Sequence, residues 1–193
     1  MRELRESILR QGQCVGDSIV KVDMFLNHRL DTRLMFAMGR ELADYFGKDK
    51  PDIVLTVEAS GIALALAAAH FLDDIPVVFA KKSPAANQSA DMLTAVAHSF
   101  THGNDNALRV DRRYLPAGRR VLVVDDFLAD GEASRALISI AEQAGCTLVG
   151  VGIAVEKGFQ PGGRKLREAG VNLKSLAIVT SIQDGRIQLA DDD

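Results

Sequence analysis

The chain predicts an α/β fold built on a mostly parallel sheet, and three observations carry that expectation. Short β-branched runs recur at 53–57, 76–80, 121–125 and 148–155. Each is almost wholly apolar, the composition of a strand covered by helices on both faces, where period-two alternation disappears. Helical stretches separate several of these runs, at 61–72 and 132–144, and strand–helix–strand alternation returns successive strands in the same direction.

The elements follow in order. Residues 1–10 are charged and hold no apolar core segment, so they do not read as a secretory signal. Leu34, Met38, Leu42 and Tyr45 form a helical stripe that Asp31 or Thr32 can cap. That helix is expected to pack on one sheet face as core. The polar segment 81–91 (KKSPAANQSAD) reads as a long loop after a strand, and such loops in compact domains are functional lids or disordered. A hairpin is expected to begin at 93–100, with 102–118 as its outer part. In the helix at 132–144, Leu137, Ile140, Ala141 and Ala144 share a face and Gly145 is a natural stop.

Composition narrows the function classes. With 193 residues and 47% hydrophobic content, one domain can bury a full core. A formal net charge of −3 supplies no global basic field for nucleic acid. No apolar run reaches the roughly 18 to 20 residues of a membrane helix; the best candidate, 61–72, is too short and holds His70. Cys14 and Cys146 are far apart in a cysteine-poor chain, which suggests reduced thiols in a cytoplasm. His98 and His102 share a helical spacing, yet AVAHSFTHG reads as strand and turn without further ligands, so zinc is not expected.

The chemistry concentrates in 121–134, VLVVDDFLADGEAS. A buried strand ends in Asp125 and Asp126, and a small-residue turn around Gly131 leads into a helix. Ligands of open α/β sheets bind at that edge. A turn entering a helix offers free N–H groups at the positive end of the helix dipole, a site for a phosphate dianion. Carboxylates just upstream can accept from vicinal sugar hydroxyls. A plainer reading stands beside this one, in which the two acids end a strand and Gly131 serves the turn.

This segment resembles the phosphoribosyl pyrophosphate (PRPP) signature of type I phosphoribosyltransferases. The similarity extends over most of the chain and is closest to the bacterial xanthine phosphoribosyltransferases, through VKVDMFLNHRLD at 20–31, VEASGI at 57–62, VVFAK at 77–81 and AVEKGFQP at 154–161. The resemblance implies a central, mostly parallel sheet flanked by helices, with a small hood from about 1–32 and about 157–193. It implies transfer of 5-phosphoribosyl from PRPP to N9 of xanthine, with Mg²⁺ bound with PRPP, in a homodimer. Asp125 and Asp126 would hold the ribose hydroxyls and Ala129, Asp130, Gly131, Glu132 and Ala133 the 5-phosphate. Ser60, Gly61 and Lys81 would approach pyrophosphate, and Val20, Asn27 and Lys157 the base. Each has a bland alternative: Gly61 as a helix start, Lys81 as solvated surface, Asn27 as a turn residue, Lys157 as a strand-end charge.

The chain departs from its family at ADGEA (129–133), where many relatives carry threonine or a neutral amide. Asp130 and Glu132 are expected to repel a phosphate dianion, and Ser134 to offer a hydroxyl at the helix start. Other readings are a relative using adenine, guanine or hypoxanthine, and a non-catalytic PRPP-sensing regulator. Lys157, a donor, argues against adenine's exocyclic amine. The chain also lacks a basic helix-turn-helix pattern of the kind such regulators carry.

Overall fold

In the computed structural model, which describes residues 1–83, 91–98 and 105–191, the chain forms five α-helices and ten strands among those residues. Helix α1 (Arg2–Gln11) precedes a hairpin of β1 (Gln13–Val15) and β2 (Ile19–Lys21). Helix α2 (Thr32–Phe46) leads into β3 (Ile53–Val57), α3 (Gly61–His70) and β4 (Val77–Ala80). A second hairpin, β5 (Met92–His98) with β6 (Asp105–Asp111), is antiparallel as expected. The chain closes with β7 (Arg120–Leu128), α4 (Glu132–Gln143), β8 (Thr147–Lys157), α5 (Gly162–Glu168), β9 (Leu173–Gln183) and β10 (Arg186–Leu189). Most of the expected lid, 84–90, and His102 lie outside the described residues, as does the side chain of His98.

The central sheet has six strands in the order β10-β9-β8-β7-β3-β4. Every neighbouring pair is parallel except β10 with β9. From β3 the chain winds outward to β4, then returns to the other side of β3 and winds through β7, β8 and β9. The winding direction therefore reverses between β3 and β7, and the crevice at their C-terminal ends is where such sheets take ligands.

Alternate residues of each strand feed two cores. Val54, Leu122 and Val124 face α2, α3 and the N-terminal segment, where Leu42, Phe46 and Leu64 are fully buried. Leu55, Val121 and Val123 face α4 and the second hairpin, with Leu137 and Ile140. Asp31 caps α2 by accepting from Leu34 N at 3.1 Å, the arrangement its position before the stripe predicts. The strand expected at 121–125 runs on to Leu128 because Phe127 and Leu128 pair with Val155 and Glu156. The two acids thus sit inside the strand rather than at its end.

Helix α1, β9 and β10 were not among the elements expected from periodicity. Leu4 and Ile8 bury one side of α1, which lies near β9 and β10. The N-terminal and C-terminal segments also meet through Met1 N donating to Leu176 O at 2.7 Å and Cys14 Sγ to Gly185 O at 2.9 Å. Both cysteines are free thiols.

Candidate active site

The site is assembled where β3 and β7 release the chain. After β3, residues 58–60 form a tight loop whose Glu58–Ala59 peptide is cis, and α3 begins at Gly61. Gly61 permits a close approach: a Cβ there would stand 2.3 Å from Thr56 Oγ1 and 2.7 Å from Asp125 Oδ1. Thr56 Oγ1 is buried with no hydrogen-bond partner among the described residues. The loop is joined to the end of β4 by Lys82 N, which donates to Glu58 Oε1 at 2.6 Å. Lys81 is exposed, and its backbone exchanges two hydrogen bonds with Arg109, at 2.9 and 3.0 Å.

Asp125 and Asp126 are 5% and 7% exposed. Asp125 Oδ1 accepts from Asp126 N at 3.0 Å. Burial, and then the charge of Asp126, push Asp125 well above the usual carboxylate range. Asp126 Oδ2 accepts from Asn27 Nδ2 at 3.3 Å. Asn27 closes a π-helical turn, Asp23–Asn27, that seats Phe25 and Leu26 in the core, so the segment's apolar residues anchor the amide that reaches β7.

The turn 129–133 lies between β7 and α4. Gly131 adopts φ 88°, a left-handed conformation that glycine accepts without steric cost. Asp130 Oδ1 accepts from Glu132 N at 3.1 Å, and Arg135 N is bonded to Gly131 O at 2.9 Å. The first N–H groups of a helix have no intrahelical acceptor, which leaves this turn suited to an anion. The expectation for its acids divides. Glu132 is ion-paired with Arg135, which compensates its charge, whereas Asp130 is spent on the turn itself. Ser134 is 1% exposed and so lies within the helix packing rather than at the surface of the turn.

Lys157 ends β8. Its Nζ donates to Ser18 O at 3.3 Å and stands 5.9 Å from the Phe127 ring centroid. Burial lowers its pKa and the nearby Asp130 charge opposes that shift. Val20, in β2, is 7% exposed and packs in the core. The structure thus gathers Asn27, Asp125, Asp126, Lys157 and the turn along β7 and its flanks, with Ser60, Gly61 and Lys81 on the β3–β4 side.

The phosphoribosyl transferase domain model matches residues 26–184. The chain belongs to the phosphoribosyltransferase family. A xanthine phosphoribosyltransferase 1 of Clostridium perfringens is 44% identical over 187 residues, covering 97% of this chain and 98% of that one. A xanthine phosphoribosyltransferase of Bifidobacterium animalis subsp. lactis is 48% identical over 182 residues, 94% of each chain. Among solved structures, an adenine phosphoribosyltransferase of Rhodothermus marinus superposes with a TM-score of 0.74 at 22% identity, over 93% of this chain and all of that one. At that identity the likeness concerns the fold, and this phosphoribosyltransferase shares its central sheet and flanking helices.

Sequence reasoning passed over Glu156, Arg167 and Thr56. Glu156 accepts from Arg167 Nη1 and Nη2, each at 2.7 Å, and from Ser175 Oγ at 2.5 Å. An acid directly after the apolar run 148–155 was the available signal, since a carboxylate in a doubly covered strand needs a cationic partner. Its partner lies on another element and has no local signature.

Proposed function

We infer that this chain transfers 5-phosphoribosyl from PRPP to N9 of xanthine, releasing pyrophosphate and forming XMP. The observation that carries the reading is the meeting of Asn27 with Asp126 at 3.3 Å beside a turn built for an anion, because it brings the residue expected at the base onto the residue expected at the ribose. The relatives at 44% and 48% identity, both xanthine phosphoribosyltransferases, support the base.

In this reading the N–H groups of 129–133 hold the 5-phosphate, and Asp125 and Asp126 accept from the ribose hydroxyls. The loop 58–61 and Lys81 face the diphosphate. Departure of pyrophosphate develops oxocarbenium character at the anomeric carbon, so fixed groups that neutralise the leaving charge matter more than a strong base. Lys157 donates to a xanthine carbonyl and orients N9 for attack from the opposite face. Among the described residues no three metal-ligating side chains gather. The donor set therefore suits an Mg²⁺ ion carried largely by PRPP oxygens, with Asp125 and Asp126 the adjacent carboxylates. Bound there, the ion would supply charge neutralisation at the diphosphate.

The reading includes a hood formed by the N-terminal segment to about residue 32 and the C-terminal segment from about 157. It also includes a homodimer and a cytoplasmic setting without nucleic-acid partners. No helix among the described residues is long and apolar enough to cross a membrane. Pyrophosphate release from PRPP and Mg²⁺ with individual purines tests the function: xanthine should be the preferred acceptor. Preference for adenine would overturn the base assignment, and no release with any purine would favour a PRPP-binding regulator.

A further inference from the structure

We propose that Glu156 and Arg167 are a positioning pair that sets the shape of the 129–133 turn, and through it the affinity for the 5-phosphate end of PRPP. The inference rests on the assignment of that turn to the phosphate. Glu156 is 3% exposed, and its register partner on β7 is Leu128, the residue that precedes the turn. Its carboxylate takes both terminal nitrogens of Arg167 and the Ser175 hydroxyl, a bidentate arrangement that fixes orientation as well as distance. Arg167 lies on α5, so the pair draws that helix down onto the end of β8. A Cβ on Gly163 would stand 1.9 Å from Glu156 Oε1, so the first turn of α5 rests directly on the carboxylate.

The same first turn supports the anion site from behind. Gly162 N donates to Ala129 O at 3.0 Å. A Cβ on Gly131 would lie 3.1 Å from Gly162 Cα, and one on Gly162 would lie 2.6 Å from Gly131 N. The turn therefore lies against backbone held in place by an ion pair that is not among the residues assigned to substrate. If α5 shifts, Ala129 loses its hydrogen bond and the left-handed Gly131 loses the surface it rests on. The carboxylate of this pair is buried while the Arg167 side chain is 43% exposed; burying a charge is costly and such pairs seldom add net stability, and a fixed geometry for the turn is what the pair provides.

The test separates positioning from bulk stability. Neutralising Arg167 alone leaves Glu156 buried and unpaired and endangers folding, so the variants are Arg167→Lys, which keeps the charge but not the bidentate fork, and the neutral double variant Glu156→Gln with Arg167→Gln. Both should raise the PRPP KM and the Kd for ribose 5-phosphate about fivefold or more, with kcat, the xanthine KM and inhibition by pyrophosphate changed less than about twofold. Arg167→Lys should be the milder. A lowered Tm with unchanged ribose 5-phosphate affinity in the folded variants would overturn the proposal, as would equal weakening of ribose 5-phosphate, pyrophosphate and xanthine. Gly131→Ala tests the foundation. If it raises the PRPP KM while the pair variants do not, the positioning role alone is wrong. If it leaves the PRPP KM unchanged, the turn does not hold the phosphate and the reading beneath the proposal fails.

Discussion

Replacing Lys157 with alanine produces two effects of different size that can be measured separately. The ammonium donates to Ser18 O at a long 3.3 Å and lies 5.9 Å from the Phe127 ring centroid. Losing the Ser18 bond should cost about 1 kcal/mol, and a chain of this size shifts Tm by about 2–4 °C for that amount. A hydrogen bond from a charged donor to a purine carbonyl contributes about 1.5–3 kcal/mol, which corresponds to roughly 10- to 150-fold in kcat/KM for xanthine. Steady-state kinetics with xanthine varied at saturating PRPP, then the reverse, should place the loss on xanthine and leave the PRPP KM within about twofold. Adenine presents an amine where xanthine has a carbonyl, so its use should not fall and the preference between the two should narrow. Equal losses for PRPP and every purine, with a Tm drop well beyond a few degrees, would refute the assignment of Lys157 to the base.

Four other perturbations follow from the same geometry. Asp125→Asn with Asp126→Asn should abolish most turnover while near-native circular dichroism persists; near-normal turnover would remove both from the mechanism. Asp125→Asn alone reports on the buried proton. Because Asp125 is pushed well above the ordinary range, the folded protein retains a proton that the unfolded chain releases above about pH 4. Native stability therefore falls as pH rises from there toward the folded-state pKa, and the variant's Tm relative to the parent should improve across that window; a pH-independent difference would show that Asp125 titrates normally. Asp130→Asn keeps an acceptor for Glu132 N and removes one negative charge, so PRPP should bind modestly tighter, more at low salt, within a ceiling of roughly 3 kcal/mol before screening for charges about 5 Å apart at an effective dielectric near 20; weaker binding would show that the carboxylate itself is needed. Gly61→Ala, which sets a Cβ against Thr56 Oγ1 and Asp125 Oδ1, should cost about 1–3 kcal/mol of stability together with most activity, and an unchanged melting curve would argue against the close approach.

Four strands of the parallel sheet, β3, β4, β7 and β8, were legible because their sequences are almost wholly apolar and helical stretches separate β3 from β4 and β7 from β8. The hairpin and the α2 cap were legible for equally local reasons: a polar break between strand-like runs and an aspartate before a stripe. By contrast, α1 shows only two buried apolar residues, Leu4 and Ile8, among charges, too little for a periodicity argument. At the site, the acids and the glycine turn were visible as a short contiguous string. The Asn27–Asp126 bond spans 99 positions and the Glu156–Arg167 pair joins a strand to a helix, so neither leaves a pattern in the sequence. The expectation about Glu132 illustrates the same limit: its charge was counted, but its pairing with Arg135 depends on side-chain geometry.

Both outermost strands of the central sheet, β4 and β10, are only four residues long. A long open edge is a template on which another chain can add a strand and begin to aggregate, and short edges blunt that hazard. On the β4 side the blunting is reinforced, because Lys81 exchanges two backbone hydrogen bonds with Arg109 of β6 just where β4 ends. The second hairpin thus caps the sheet against further growth. Deleting 92–111 would leave β4 with Phe79, already 41% exposed, at an uncapped margin, and the outcome to watch in such a truncation is colloidal: turbidity and self-association at concentrations where the intact chain stays dispersed.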